Sequence, residues 1–159
     1  MSPFCSHRLV KKRLKKVWEE LMDVKLNNGF TEFKFDINRI VNKESEEWCS
    51  MQISVKNEFF NYKNEGELLL FSEVEEIKNY LEQLLNGKLE EEEQLDFTEP
   101  DLELNLYPSD NVEYILLDIK FNLIEQGELS ADYYNLCLDK KEIDELYSYL
   151  KEWIDENKK

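Results

Sequence analysis

The chain has 159 residues, 13% of them aromatic, with only four Gly and three Pro; that is enough apolar material for one domain with its own core, and too little Gly and Pro for flexible linkers. Thirty-six Asp and Glu face twenty Lys and Arg, a formal net charge of −16, which argues against nucleic acid or an anionic membrane as partner and for a basic protein. No apolar run reaches the roughly 18 residues of a membrane span, and no apolar core follows the first basic stretch as a secretory signal requires.

Residues 1–21 carry six basic residues against Glu19 and Glu20, a net of +4, whereas residues 22–159 carry a net of −20. Val10, Leu14, Val17, Trp18 and Leu21 recur at helical spacing, so residues 8–21 read as a basic amphipathic helix, a pattern that elsewhere serves membrane surfaces or nucleic acid. Trp18-Glu19-Glu20 also corresponds to TGG-GAR-GAR, a purine-rich stretch of the kind that forms a bacterial ribosome-binding site just ahead of Met22. Met22 is therefore expected to be the natural start, with 1–21 a basic extension in front of a single domain, 22–159.

From Met22 the pattern has period two. Residues 23–26, ahead of the turn signal Asn27-Asn28-Gly29, are expected to form a hairpin with residues 31–41, where Phe33, Phe35 and Ile37 alternate with Glu32, Lys34, Asp36 and Asn38. Residues 48–56 alternate again, with Cys49, Met51, Ile53 and Val55 on one face. A short edge strand is expected at 58–62, before a turn at Asn64-Glu65-Gly66. The period then changes. Ser72 is positioned as an N-cap with Glu75 completing a capping box; Val74, Ile77, Leu81, Leu84 and Leu85 form an apolar stripe, and Gly87 sits where a left-handed C-terminal cap is needed. After the acidic run Glu90, Glu91, Glu92, Glu93, four strands are expected at 94–98, 101–107, 112–122 and 132–138. Turns at Pro100, at residues 108–111 and at 126–128 would join them. Asp139 and Glu142 form a second capping box for a last helix that carries Ile143, Leu146, Leu150, Trp153 and Ile154. The expected architecture is α+β: a largely antiparallel sheet of about seven to eight strands with two amphipathic helices packed on one face.

Little in the sequence supports catalysis. The only histidine, His7, lies in the extension, so no neutral-pH base remains for a serine or cysteine nucleophile. Cys5, Cys49 and Cys137 are odd in number and far apart, which argues against a disulfide framework and for a reducing cytoplasm; Cys49 and Cys137 read as small buried hydrophobes. They form no zinc set, the four glycines are isolated from any phosphate-binding loop, and no cofactor is implied. Glu99 and Asp101 flank Pro100, which fixes the backbone between two strands; the pair reads as turn chemistry, as a partner contact, or as a carboxylate pair for hydrolysis. The run from Glu90 to Glu93 reads as a solvated connection or as a dense anionic patch; it lacks the loop pattern of a calcium site.

The stretch Leu95-Asp96-Phe97-Thr98-Glu99-Pro100-Asp101-Leu102-Glu103-Leu104, after a helix ending Leu84-Leu85-Asn86-Gly87, resembles the WapI-like family of bacterial immunity proteins. The Trp48 strand, a later long strand and a final Leu-rich helix extend the similarity from about Trp48 to Leu150. Its most specific piece is Phe97-Thr98-Glu99-Pro100-Asp101-Leu102. The resemblance implies a non-enzymatic protein that binds the C-terminal toxin domain of a cognate secreted polymorphic toxin, a nuclease in the founding type. It names no catalytic residue. The expected partner is thus a basic toxin domain, bound one to one in the cytoplasm, with Glu90, Glu91, Glu92, Glu93, Glu99, Asp101 and Glu103 as candidate contacts and Tyr62, Tyr107, Tyr133 or Tyr134 as an aromatic anchor. The alternative is an acidic binding or regulatory module for another basic protein.

Overall fold

Alternation in the first half of the chain folds as the period-two pattern dictates. The computed structural model describes residues 22–26, 31–58, 61–125 and 128–158; residues 1–21, with the expected basic helix and His7, lie outside them. Strands β1 (Met22–Leu26), β2 (Thr31–Lys43), β3 (Glu46–Lys56) and β4 (Asn61–Leu70) form an antiparallel sheet in chain order. Phe33, Phe35 and Ile37 of β2 and Cys49, Met51, Ile53 and Val55 of β3 are buried on one face of it. The expected hairpin is present, with Leu26 opposite Thr31 and Met22 opposite Phe35.

Of the strand expected at 58–62, residues 61 and 62 begin a ten-residue strand and residues 59–60 lie outside the described ones; the expected turn at 64–66 lies inside that strand. Gly66, at φ +142°, pairs with Met51 as a strand residue. The glycine supplies a backbone angle that other residues avoid, and a register shift follows past the next pair, between Cys49 and Ser50 on β3. β4 then runs without a loop into α1 (Phe71–Leu85). The Glu73 carboxylate accepts the Leu70 amide at 2.8 Å, so the helix begins two residues earlier than a Ser72 cap implies, and Ser72 is an exposed first-turn residue. The buried run Leu68-Leu69, continuing to Phe71, anchors this strand-to-helix passage and overrides the local capping signal. The other end of α1 is as expected. Gly87, at φ +70°, donates its amide to Leu84 O at 3.3 Å, and Lys88 donates to Gln83 O at 2.9 Å, a Schellman closure.

Strands β5 (Glu93–Asp96), β6 (Leu102–Tyr107), β7 (Leu116–Glu125) and β8 (Glu128–Asp139) form a second antiparallel sheet, also in chain order. The expectation of one sheet of seven to eight strands is therefore corrected: the described strands divide four and four, with α1 at the break. Residues 112–114, expected as strand, form a 3-10 turn capped by the Asn111 side chain, which accepts the Glu113 amide at 3.0 Å. Helix α2 (Lys140–Asn157) opens with the predicted reciprocal box. The Glu142 amide donates to Asp139 Oδ1 at 3.1 Å, and the Asp139 amide donates to Glu142 Oε1 at 2.9 Å.

One apolar core joins both sheets and both helices. Phe121 of β7 meets Phe33 of β2 at 6.0 Å and Tyr62 of β4 at 5.7 Å between ring centroids, so it binds the sheets to each other. Phe71 of α1 lies 5.8 Å from Trp153 of α2. The Tyr149 hydroxyl of α2 accepts the Ile37 amide of β2 at 2.7 Å, beyond the last β1 pair at Phe35. The helices thus serve the inward faces of two sheets, where one sheet was expected. Outward positions of both sheets are mostly polar among the described residues, with Leu116 and Cys137 as exceptions on the second. No described helix is long and apolar enough to cross a membrane.

Candidate functional site

The segment Phe97-Thr98-Glu99-Pro100-Asp101-Leu102 connects β5 to β6 and is held from three sides. Glu73 of α1 accepts both the Thr98 amide, at 2.6 Å, and the Thr98 hydroxyl, at 2.7 Å. Asn64 of β4 donates its side-chain amide to Asp101 Oδ1 at 2.8 Å. Asn122 of β7 donates its backbone amide to Asp101 O at 2.9 Å and its side-chain amide to Pro100 O at 2.7 Å. Asp101 is 8% exposed and faces the first sheet, whereas Glu99 is exposed. The two carboxylates beside Pro100 therefore go to different places, and Asp101 joins the sheets.

The other candidate acids fall into two groups at opposite ends of the second sheet. Glu93 pairs with Leu106 in register, so Glu90, Glu91 and Glu92, all exposed, lie at the Tyr107 end. Glu103 pairs with Asp96 and with Lys120 on the outward face at the other end, near the β5–β6 connection that carries Glu99. Four residues of strand separate the Leu106 and Leu102 levels, roughly 13 Å. The seven acids do not form one patch.

At the first end Tyr107 hydrogen-bonds Asp118, which is 5% exposed on β7. Burial, then the Asp118 charge and hydrogen bond, then Glu92 and Glu103, raise the Tyr107 hydroxyl above its ordinary pKa. At the second end Lys120 Nζ lies 3.2 Å from Glu103 Oε2 and 4.6 Å from the ring centroid of Tyr133, which is 58% exposed. Asp96 accepts the Gln94 side-chain amide at 3.1 Å and is exposed. Of the four candidate tyrosines, Tyr62 and Tyr134 are half-buried against Phe121, and Tyr133 is the one displayed.

Lys120, Asp96 and Asp118 were not singled out by sequence reasoning. A signal for the first was available: Lys120 is the sole basic residue among 89–139, a segment that holds fifteen acids. The outward face of the first sheet is different in kind. Ser50, Gln52 and Glu65 border an open hollow of about 400 Å³ there, together with Asn38 and Gly66, and Lys63 pairs with Glu65 at 2.9 Å on the surface. Acids and bases offset each other on that sheet more than on the second.

Cys49 is a free buried thiol, pushed up to about 12 by burial, then by Glu73 and Glu47. Cys137 is also buried. Among the described residues no group of three or more His, Cys, Asp or Glu is placed to hold a metal.

A family model described as the immunity protein WapI-like family matches residues 24–157. No curated protein matches the chain.

Proposed function

Because the chain belongs to the WapI-like family of immunity proteins, we propose that it binds and neutralises the C-terminal toxin domain of a cognate secreted polymorphic toxin. The family match over nearly the whole described domain carries this reading, and the acidity of the chain supports it. A body of net charge −16 attracts a basic partner with a fast, salt-sensitive association. The toxin domain is basic and is a nuclease, whose nucleic-acid groove offers the cations this surface complements. Binding is one to one and takes place in the cytoplasm of the producing cell. Exposed carboxylates Glu90, Glu91, Glu92 and Glu99, with the half-buried Glu103, supply contacts, and the protein acts by occupation, with no catalytic step and no cofactor.

Co-expression tests the proposal. The gene is expected to lie directly downstream of a large secreted toxin gene, and the C-terminal domain of that toxin should arrest growth when produced alone. Growth is restored when the full chain is produced with it, and the two proteins co-purify. Growth arrest that the chain does not relieve, together with no complex between the purified proteins, would overturn the proposal. In that event the acidic surface favours a binding or regulatory module for another basic protein.

A further inference from the structure

We infer that the toxin domain docks on the outward face of the second sheet, at the end where Tyr133 is displayed. The inference rests on the proposed function above and adds the surface and the chemistry that recognises it.

Charge is concentrated where this sheet is built. Residues 89–139 hold fifteen acids and one base, a net of −14, whereas residues 22–88 hold a net of −5 and residues 140–159 a net of −1. Almost all the excess negative charge of residues 22–159 therefore belongs to the segment that forms the second sheet and its connections. The inward positions of that sheet are apolar and buried, Leu102, Leu104, Leu106, Leu117, Ile119 and Phe121 among them, whereas Glu90, Glu91, Glu92, Asp96 and Glu99 of its strands and connections are exposed.

The same face also displays an aromatic anchor. Among the described residues the other large hydrophobic side chains on strands are buried or half-buried, yet Tyr133 is 58% exposed on an outward position of β8, opposite Asn122. The only cation of the segment, Lys120, reaches both that ring and Glu103. Tyr133 with its cation at 4.6 Å shows that the ring and the carboxylates around it accept a positive group. Glu103 is the carboxylate that shares this cation, and Asp96 lies opposite Glu103 on the same outward face, at the β5 side of the sheet. An exposed tyrosine surrounded by polar and charged side chains has the anatomy of an interface hot spot. A basic protein that brings Lys or Arg against this end finds carboxylates for its charges and a ring for its flat or aliphatic surface. The first sheet's outward face lacks both features: its bases offset more of its acids, and Ser50, Gln52 and Ser54 stand at its centre.

The experiment is titration calorimetry of the full chain with the purified toxin domain encoded beside it. Tyr133→Ala is expected to weaken binding by about 30-fold. Asp96→Lys is expected to weaken it by about tenfold and to make the dependence on NaCl shallower. Glu65→Gln, on the first sheet, should change affinity by less than about twofold. Circular dichroism confirms folding, and Asp96→Lys, at an exposed position, keeps the test decisive if Tyr133→Ala is unstable. Affinity unchanged in both second-sheet variants would overturn this surface while leaving the proposed function standing. Absence of binding by the unmodified chain would overturn both.

Discussion

Glu99 and Asp101 show how two like residues, two positions apart, acquire different roles. Pro100 fixes the turn, and the backbone then sends Asp101 inward to the Asn64 side chain while Glu99 stays in solvent. A nearly buried carboxylate with a neutral donor stabilises by its hydrogen bonds, because water no longer competes for it. Asp101→Ala is therefore expected to lower unfolding stability by about 2 kcal/mol, read from urea denaturation. Asn64→Ala should cost less when Asp101 is already absent, a coupling of about 1 kcal/mol. Glu99→Ala should stay within about 0.5 kcal/mol. Affinity of the folded Asp101→Ala protein for the toxin domain should match that of the unmodified chain; a large loss of affinity without loss of stability would return Asp101 to the contact surface. The motif that carries the family resemblance was legible in the sequence. Which of its acids faces a partner was not, since that depends on Asn64, 37 residues away.

Elements whose cause is local were read correctly. The Asp139 and Glu142 box and the Gly87 closure each depend on residues within one or two turns of helix, and both appear as expected. The start of α1 was misread because its cause is not local. Strand β4 passes directly into the helix, and Glu73 is shared between Leu70 and Thr98 across 25 residues. Alternation identified the buried face of most strands but carries no information on which strands share a sheet, so the division at α1 was not visible. Gly66 was read as a turn because a glycine between polar residues has that signature in either setting. The β2–β3 hairpin turn offers the clearest test at this scale. Glu44 and Ser45 hold φ values of +54° and +68°, between Lys43 and Glu46, which pair. This two-residue turn demands the left-handed region twice and is filled by residues that resist it. Replacing Glu44-Ser45 by Asn-Gly should stabilise the protein by about 1 kcal/mol and raise Tm by about 2–4 °C, measured by thermal unfolding. An unchanged or lower Tm would show that the native residues contribute contacts beyond the turn itself.

At the scale of the whole molecule, the acidity of the chain was legible from composition, but that its most acidic segment builds one of two sheets needed the fold. Exposed Tyr133 and half-buried Tyr134 are sequence neighbours that only strand direction tells apart. Helix α2 closes the molecule through two tyrosines on its inward side. Tyr149 accepts the Ile37 amide of β2, and Tyr147 donates to Glu82 of α1 at 2.6 Å. Burial is the main cause that raises the Tyr149 hydroxyl far above its ordinary pKa. The bond to Glu82, ahead of burial and of the Glu82 charge, raises Tyr147 to about 12. An unfolded tyrosine titrates near 10. Between that value and the folded one, the native state binds more protons than the unfolded chain, so stability falls as pH rises. The contribution is complete below about pH 9 and is lost from about pH 10 upward through about 12. Lysines also lose their charge in this range and increase self-repulsion, so substitution must separate the causes. Tyr149→Phe should cost about 1 kcal/mol at pH 7, where the Ile37 amide loses its acceptor. The fall in urea midpoint between pH 9 and pH 11 should then be smaller than in the unmodified protein. Tyr147→Phe should also reduce that fall, by a lesser amount, since its site is more open to solvent. Equal alkaline losses in all three proteins would show that tyrosine ionisation does not govern the docking of α2.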